Sequence, residues 1–81
     1  MRQTITISII GANSYDIQID DEQRIKTTLH VMKENIQGIA YFLDDIEVRE
    51  TRSGRKIDIN QTYEEAKIYT GFELMVTSRK S

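Results

Sequence analysis

Carboxylates are the most numerous side chains in this 81-residue chain that could support catalysis. Asp20, Asp21 and Glu22 form one acidic run, and Asp44 and Asp45 form a second. General acid–base catalysis needs carboxylates at a set separation and with shifted pKa values, and adjacency in the sequence supplies neither. Solvated loop acids, and acids that precede a helix, are the simpler interpretation of the two runs.

Histidine, cysteine and glycine usage argues against other catalytic sites. His30 is the only histidine and cysteine is absent, so a Cys/His nucleophile pair, a thiolate metal site and a disulfide are excluded. We interpret His30 as a surface or boundary residue. The glycines form no phosphate-binding loop, and Gly54-Arg55-Lys56 is not a Walker motif. We expect no catalytic residue, no metal site and no cofactor, and a protein that is not an enzyme.

Positive charge concentrates around one predicted hairpin, at Arg49, Arg52, Arg55 and Lys56. Arg49 lies on the predicted strand, and the other three residues flank the turn. The functional interpretation is binding of an acidic protein partner or of a phosphate backbone. The alternative is a solvated turn whose charges prevent the strand edge from pairing with another chain. A protein partner fits better than nucleic acid, because the net charge is −2 and no aromatic residues are interleaved.

The aromatic pair Tyr41–Phe42 is a second candidate partner-binding site. Exposed aromatic residues often anchor interfaces, whereas core packing is the structural alternative. A sheet face is the third surface to consider. Strand alternation places five polar residues on the predicted outer face: Thr4, Thr6, Ser8, Glu47 and Arg49. Such a face indicates a modest or electrostatic interface.

Strict alternation at the start of the chain predicts a β-hairpin. Residues 4–10 place isoleucines on one face and hydroxyl side chains on the other. Residues 11–14 carry Gly and Asn, which suit a turn. Residues 15–19 alternate again, so the two strands pair around this turn.

The apolar period then changes from two to that of a helix. The helical stripe is Ile25, Leu29, Met32 and Ile36. Asp20 is the predicted N-cap, with Gln23 completing a capping box, and Gly38 is the predicted residue just past the C-terminus. The pattern predicts a helix over residues 22–36.

The second half of the chain predicts shorter elements. Residues 45–51 and 56–59 read as strands around a turn at Ser53-Gly54, and residues 60–62 cap a short helical turn over 63–67. A turn at Thr70-Gly71 leads into a last strand over 72–77. The order predicts an α+β β-grasp fold, in which a mixed sheet of four to five strands has one main helix across one face. We predict one domain over residues 1–77 and a frayed tail over 78–81.

The closing segment, residues 68–76, resembles the end of ubiquitin-like domains. Ile68, Gly71, Leu74 and Val76 match their pattern of apolar positions and one glycine, whereas Phe72 stands where an Asp is common. The resemblance covers nearly the whole chain and implies the ubiquitin-like β-grasp fold. Within the superfamily the chain is most similar to the YukD/EsaB-type accessory proteins of Gram-positive type VII secretion, through its length, Ile25-Lys26 and the short segment after Val76.

That resemblance implies a cytoplasmic accessory or regulatory factor that binds non-covalently to a secretion-machine membrane component or its ATPase. Conjugation and sulfur carriage require a C-terminal diglycine, which is absent, so neither is expected. No signal peptide or membrane insertion is expected. A homodimer through a strand edge stays open. The alternative function is a regulatory or nucleic-acid-binding β-grasp protein that acts through the hairpin around Arg52–Lys56.

Overall fold

A computed structural model describes residues 1–11, 13–36 and 45–78, with the backbone alone at Ser78. Within these ranges one helix packs on one five-stranded sheet. The elements are β1 Arg2–Ile9, β2 Ser14–Asp20, α1 Ile25–Asn35, β3 Ile46–Glu50, β4 Lys56–Ile57 and β5 Glu73–Ser78. The strand order is β2-β1-β5-β3-β4, and β1 runs parallel to β5 while the other pairs are antiparallel. This mixed sheet confirms the predicted α+β β-grasp fold.

The core lies between α1 and the inner face of the sheet. Alternation along the strands sends every second side chain to this face, and the helical stripe meets it from the other side. The fully or nearly buried apolar residues of the described ranges are Ile5, Ile7, Ile9, Ile19, Ile25, Leu29, Met32, Ile46, Val48, Ile57, Tyr63, Ala66, Ile68, Leu74 and Val76. The isoleucines predicted to share one face of β1 are therefore core residues.

Helix α1 has the predicted apolar stripe but a different start. It begins at Ile25, three residues later than predicted, and Arg24 is the N-cap residue with no side-chain cap. Asp20 does not cap the helix, because its carboxylate accepts a hydrogen bond from the Glu22 amide at 2.9 Å in the preceding turn. The first helical amides find carbonyls from a distant segment instead. Those of Ile25 and Lys26 donate to the carbonyls of residues 61 and 59, at 3.0 and 2.9 Å.

The short helical turn after β4 has a capping motif at each end. At its start the Thr62 amide donates to the Glu65 carboxylate at 2.9 Å, and the Glu65 amide donates to the Thr62 hydroxyl at 3.1 Å, which is a capping box. At its end Lys67 adopts a φ of 58°, and the Ile68 amide reaches the Tyr63 carbonyl at 2.9 Å. These features define a Schellman motif. The predicted cap around residues 60–62 is confirmed at Thr62.

Several predictions fall outside the described residues. They concern Ala12 in the hairpin turn, Gly38 after the helix, the apolar connection over 39–43 and residues 79–81. Within the described ranges, no helix combines the length and the apolar character needed to cross a membrane.

The hydroxyl of Thr28 is an unusual polar group at the helix–sheet interface. The residue is 7% exposed, and its Oγ1 has no hydrogen-bond partner. We expect Thr28→Val to raise the free energy of unfolding by about 1 kcal/mol, because burying an unpaired polar group carries a desolvation cost and Val has nearly the same shape. Urea unfolding with an unchanged m-value measures this. The matched control is Thr27→Val at the exposed neighbouring position, which should change stability by about 0.5 kcal/mol or less. Equal effects of the two substitutions would contradict this account.

Candidate partner-binding surface

The register of the strands defines the outer face of the sheet, which α1 leaves uncovered. Residues that pair across neighbouring strands have side chains on the same side of the sheet. One residue known to point outward therefore identifies the outward residues on the strands beside it. Thr6 pairs with Asp16 and Glu73, and Arg49 pairs with Met75 and Lys56. The same register confirms that the five polar residues predicted for this face lie on it.

The β2–β1–β5 side of the outer face is a network of hydroxyls and carboxylates. Ser8 donates to the Glu73 carboxylate at 2.6 Å, and its hydroxyl lies 2.7 Å from that of Ser14. Thr6 donates to the Asp16 carboxylate, also at 2.6 Å. Ser8 is buried, so part of this network lies below the solvent-exposed layer. This side of the face presents acceptors and negative charge.

The β3–β4 side of the outer face presents cations. Arg49 Nε lies 3.1 Å from one Glu47 carboxylate oxygen, and Lys56 Nζ lies 3.7 Å from the other. Arg49 also donates from Nη1 to the Gly54 carbonyl at 2.8 Å. Exposed ion pairs of this kind contribute only about 0–1 kcal/mol each. Glu47 therefore orients the two cations, and a partner that replaces it loses little binding free energy. We call Arg49 and Lys56 the basic pair.

The four predicted basic residues do not act as one patch. Arg55 precedes Lys56 on the hairpin, and its Nη2 donates to the Ala66 carbonyl at 2.8 Å. Because neighbouring side chains on a strand alternate, Arg55 points away from the face that carries the basic pair. Arg52 is exposed in the turn. The structure thus brings Arg49 and Lys56 together and directs Arg55 to the helical turn after β4.

Glu50 positions the turn between β3 and β4, and the sequence pattern did not single it out. Its side chain is buried at the end of β3, where its carboxylate accepts hydrogen bonds from the Arg52 amide at 2.5 Å and from the Ser53 amide and hydroxyl at 3.2 and 3.1 Å. The Arg52 amide bond, followed by the bonds from Ser53, lowers the pKa of Glu50 below its ordinary value of 4.5, although burial opposes the shift. An acid directly before the Thr-Arg-Ser-Gly turn is the sequence signal for such a role.

The remaining residues that the sequence singles out are His30 and the aromatic pair Tyr41–Phe42. His30 is exposed, and its Nε2 lies 3.3 Å from a Glu34 carboxylate oxygen one helical turn away, which confirms the surface interpretation. Tyr41 and Phe42 lie outside the described residues. Over residues 1–11, 13–36 and 45–78, no three metal-ligating side chains come together.

Comparison with known proteins identifies the fold. Neither a protein-family model nor a curated protein matches the chain. Among solved structures, it is similar to a de novo design based on ubiquitin, with 21% identity, a TM-score of 0.77 and coverage of 99% of this chain and 92% of that chain. It is similar to a ubiquitin-like domain from tubulin-binding cofactor B, with 5% identity, a TM-score of 0.75 and coverage of 95% and 89%.

A chain of the toluene 4-monooxygenase HD complex with the inhibitor 4-bromobenzoate has the same fold. The identity is 12%, the TM-score is 0.72, and the match covers 96% of this chain and 99% of that chain. These likenesses establish a ubiquitin-like fold. Because the fold occurs both in a domain of tubulin-binding cofactor B and in a chain of an enzyme complex, the function of this chain has to be argued from its surface.

The Glu50 carboxylate predicts a pH dependence of stability. A carboxyl whose pKa is lower in the folded state stabilises the fold fully above its unfolded pKa, and this contribution is lost as pH falls through the folded pKa. We expect Glu50→Gln to reduce stability at pH 7 and to flatten the loss of stability below about pH 4.5. Thermal unfolding across pH 2–7 measures both effects. Glu64→Gln, at an exposed position, is the control, and an identical pH profile for the two variants would contradict the role of Glu50.

Proposed function

We propose that this chain is a non-enzymatic ubiquitin-like module that binds an acidic surface of a protein partner through the outer face of its sheet. The setting that we propose is Gram-positive type VII secretion, where the chain acts in the cytoplasm as an accessory or regulatory factor. Its partner there is a membrane component of the secretion machine or the associated ATPase.

The observation that carries the binding proposal is the arrangement of the basic pair. Arg49 and Lys56 are paired across β3 and β4, and both face Glu47. The Gly54 carbonyl fixes Arg49 as well, so its guanidinium is partly preorganised before a partner arrives. Preorganisation lowers the entropy lost on binding, and rim cations chiefly set the association rate and the choice of partner.

The proposed setting draws on the resemblance of the closing segment to YukD/EsaB-type proteins. The residues that carry that resemblance have clear structural roles: Ile68, Leu74 and Val76 are buried, and Gly71 has a φ of 93°, which favours glycine. These roles account for the pattern at the level of the fold.

Action without conjugation is part of the proposal. A diglycine is needed for adenylation and transfer, and no two glycines are adjacent anywhere in the 81 residues. Intact-mass spectra of the endogenous chain should therefore show no adduct with other proteins. A ladder of covalent conjugates on an immunoblot would overturn this part of the proposal while leaving non-covalent binding to be tested separately.

The basic pair gives a direct test of binding. The double variant Arg49→Glu/Lys56→Glu should recover at least about tenfold less of a type VII secretion component from a Gram-positive lysate than the unaltered chain does, because reversing both charges converts attraction into repulsion. Arg24→Glu is the matched control, since Arg24 is an exposed cation at the start of α1 and lies away from the outer face. Quantitative mass spectrometry of the captured proteins measures the ratio.

Three outcomes would contradict the proposal. Equal recovery with the double variant would exclude the basic pair as the docking site. Recovery of no secretion component, or unchanged export of substrates after deletion of the gene, would exclude the type VII setting. Circular dichroism of both variants checks that folding is unchanged.

The exposed cations also favour one alternative, binding of a nucleic-acid phosphate backbone by Arg52 together with the basic pair. Fluorescence titration with a labelled oligonucleotide separates the two functions, because phosphate binding weakens steeply as salt increases. An absence of binding at low salt would remove this alternative.

A further inference from the structure

Lys56 is a primary amine that the strand register places directly beside a guanidinium. It pairs with Arg49 across β4 and β3, and residues that face each other in an antiparallel pair have Cβ atoms about 4.5–5.5 Å apart. The side chains of Lys56 and Arg49 are 58% and 50% exposed. A neutral lysine amine is a nucleophile, and a guanidinium binds phosphoryl oxygens through its N–H donors. The basic pair therefore combines a nucleophile and an anion-binding group on one accessible surface.

Arg49 is held in place without using all of its donors. Its Nε donates to the Glu47 carboxylate at 3.1 Å, and its Nη1 donates to the Gly54 carbonyl at 2.8 Å. A guanidinium also carries N–H donors on Nη2. Within the described part of the chain, those donors have no acceptor. They can bind a phosphoryl group that approaches from solvent, while the other two bonds keep the guanidinium oriented.

The charge around Lys56 favours a small anion. Two cations, Arg49 and Lys56, and one carboxylate, Glu47, leave the cluster with a net charge of +1. Arg52 is exposed in the adjoining turn and adds to the positive potential. Lys67 offers a comparison, because it is also exposed and no ion pair involves it over residues 1–11, 13–36 and 45–78. An anion should therefore concentrate at Lys56 and not at Lys67.

We propose that Lys56 is a site of acylation by an acyl phosphate. The phosphoryl oxygens bind to Nη2 of Arg49, which brings the acyl carbon, one bridging oxygen away, to Nζ of Lys56. The neutral amine attacks this carbon, so that a C–N bond forms and the C–O bond to the phosphoryl group breaks. Inorganic phosphate leaves with the electron pair of that bond, and the amine loses one proton to water. The product is a neutral amide at Lys56.

Acylation regulates the surface that carries the basic pair. The amide has no charge, so the net charge of Arg49, Lys56 and Glu47 falls from +1 to zero. An acidic partner is then attracted less strongly. This consequence rests on the proposed function, whereas the acylation reaction does not.

The test is incubation of the full 81-residue chain with acetyl phosphate, followed by peptide mapping with mass spectrometry. Lys56 should be acetylated at least about fivefold faster than Lys67, because a cluster of positive charge raises the local concentration of an anion. Arg49→Gln should bring the two rates to within about twofold of each other, since it removes the phosphoryl-binding group. Arg24→Gln removes an exposed cation away from the outer face and should leave the preference for Lys56 unchanged.

Other acyl donors separate phosphoryl binding from the intrinsic reactivity of the amine. The uncharged N-hydroxysuccinimide ester of acetic acid should acetylate Lys56 and Lys67 at rates within about twofold, because it has no anion for Arg49 to bind. Acetyl coenzyme A should show the same loss of preference, since its phosphates lie far from its thioester. Inorganic phosphate should compete with acetyl phosphate and slow the reaction at Lys56 but not at Lys67.

Several results would overturn the proposal. They are equal rates at Lys56 and Lys67 with acetyl phosphate, an unchanged preference in Arg49→Gln, and the same preference with the uncharged ester or with acetyl coenzyme A. The regulatory consequence is tested apart from the reaction. Chain acetylated at Lys56 should capture at least about twofold less of the acidic partner. Selective acetylation with unchanged capture would contradict the proposed function and leave the acylation site established.

Discussion

The parallel pairing of β1 with β5 is the constraint on which the rest of the structure depends. It joins residues almost seventy positions apart, in a register that runs from Thr6 opposite Glu73 to Ile9 opposite Val76. The pairing extends beyond the strand ends, because the Gly71 amide donates to the Thr4 carbonyl at 3.0 Å. β1 brings the first hairpin to this junction, and β5 brings β3 and β4. Without the pairing, the two halves of the sheet would each keep an exposed edge and an incomplete core.

Patterns of apolar residues were sufficient to predict the elements and their arrangement. The switch from period two to a helical stripe at Ile25 separated the hairpin from α1, and alternation identified the core residues of β1 and β5. The N-terminus of α1 could not be predicted in this way. Its first amides bond to carbonyls of residues 59 and 61, which are distant in the sequence, whereas the local pattern indicated a cap at Asp20.

The candidate site was only partly predictable, for a related reason. Composition indicates how many cations surround a turn, but the directions of their side chains depend on tertiary partners. Arg55 and Lys56 are neighbours in the sequence, and yet one bonds to the Ala66 carbonyl and the other lies near Glu47. The burial of Glu50 depends on the turn that its own carboxylate organises.

The parallel arrangement of β1 and β5 also determines how the domain responds to force. The start of β1 and the end of β5 lie at opposite ends of two neighbouring parallel strands. Tension applied through them would pull the strands in opposite directions along their length. The hydrogen bonds between Thr6–Ile9 and Glu73–Val76 would then share the load in shear, and they would have to break together before the strands could slide. Mechanical unfolding is governed by the height of this kinetic barrier, so the domain should resist extension more strongly along this direction than when its hairpin bonds are opened one at a time.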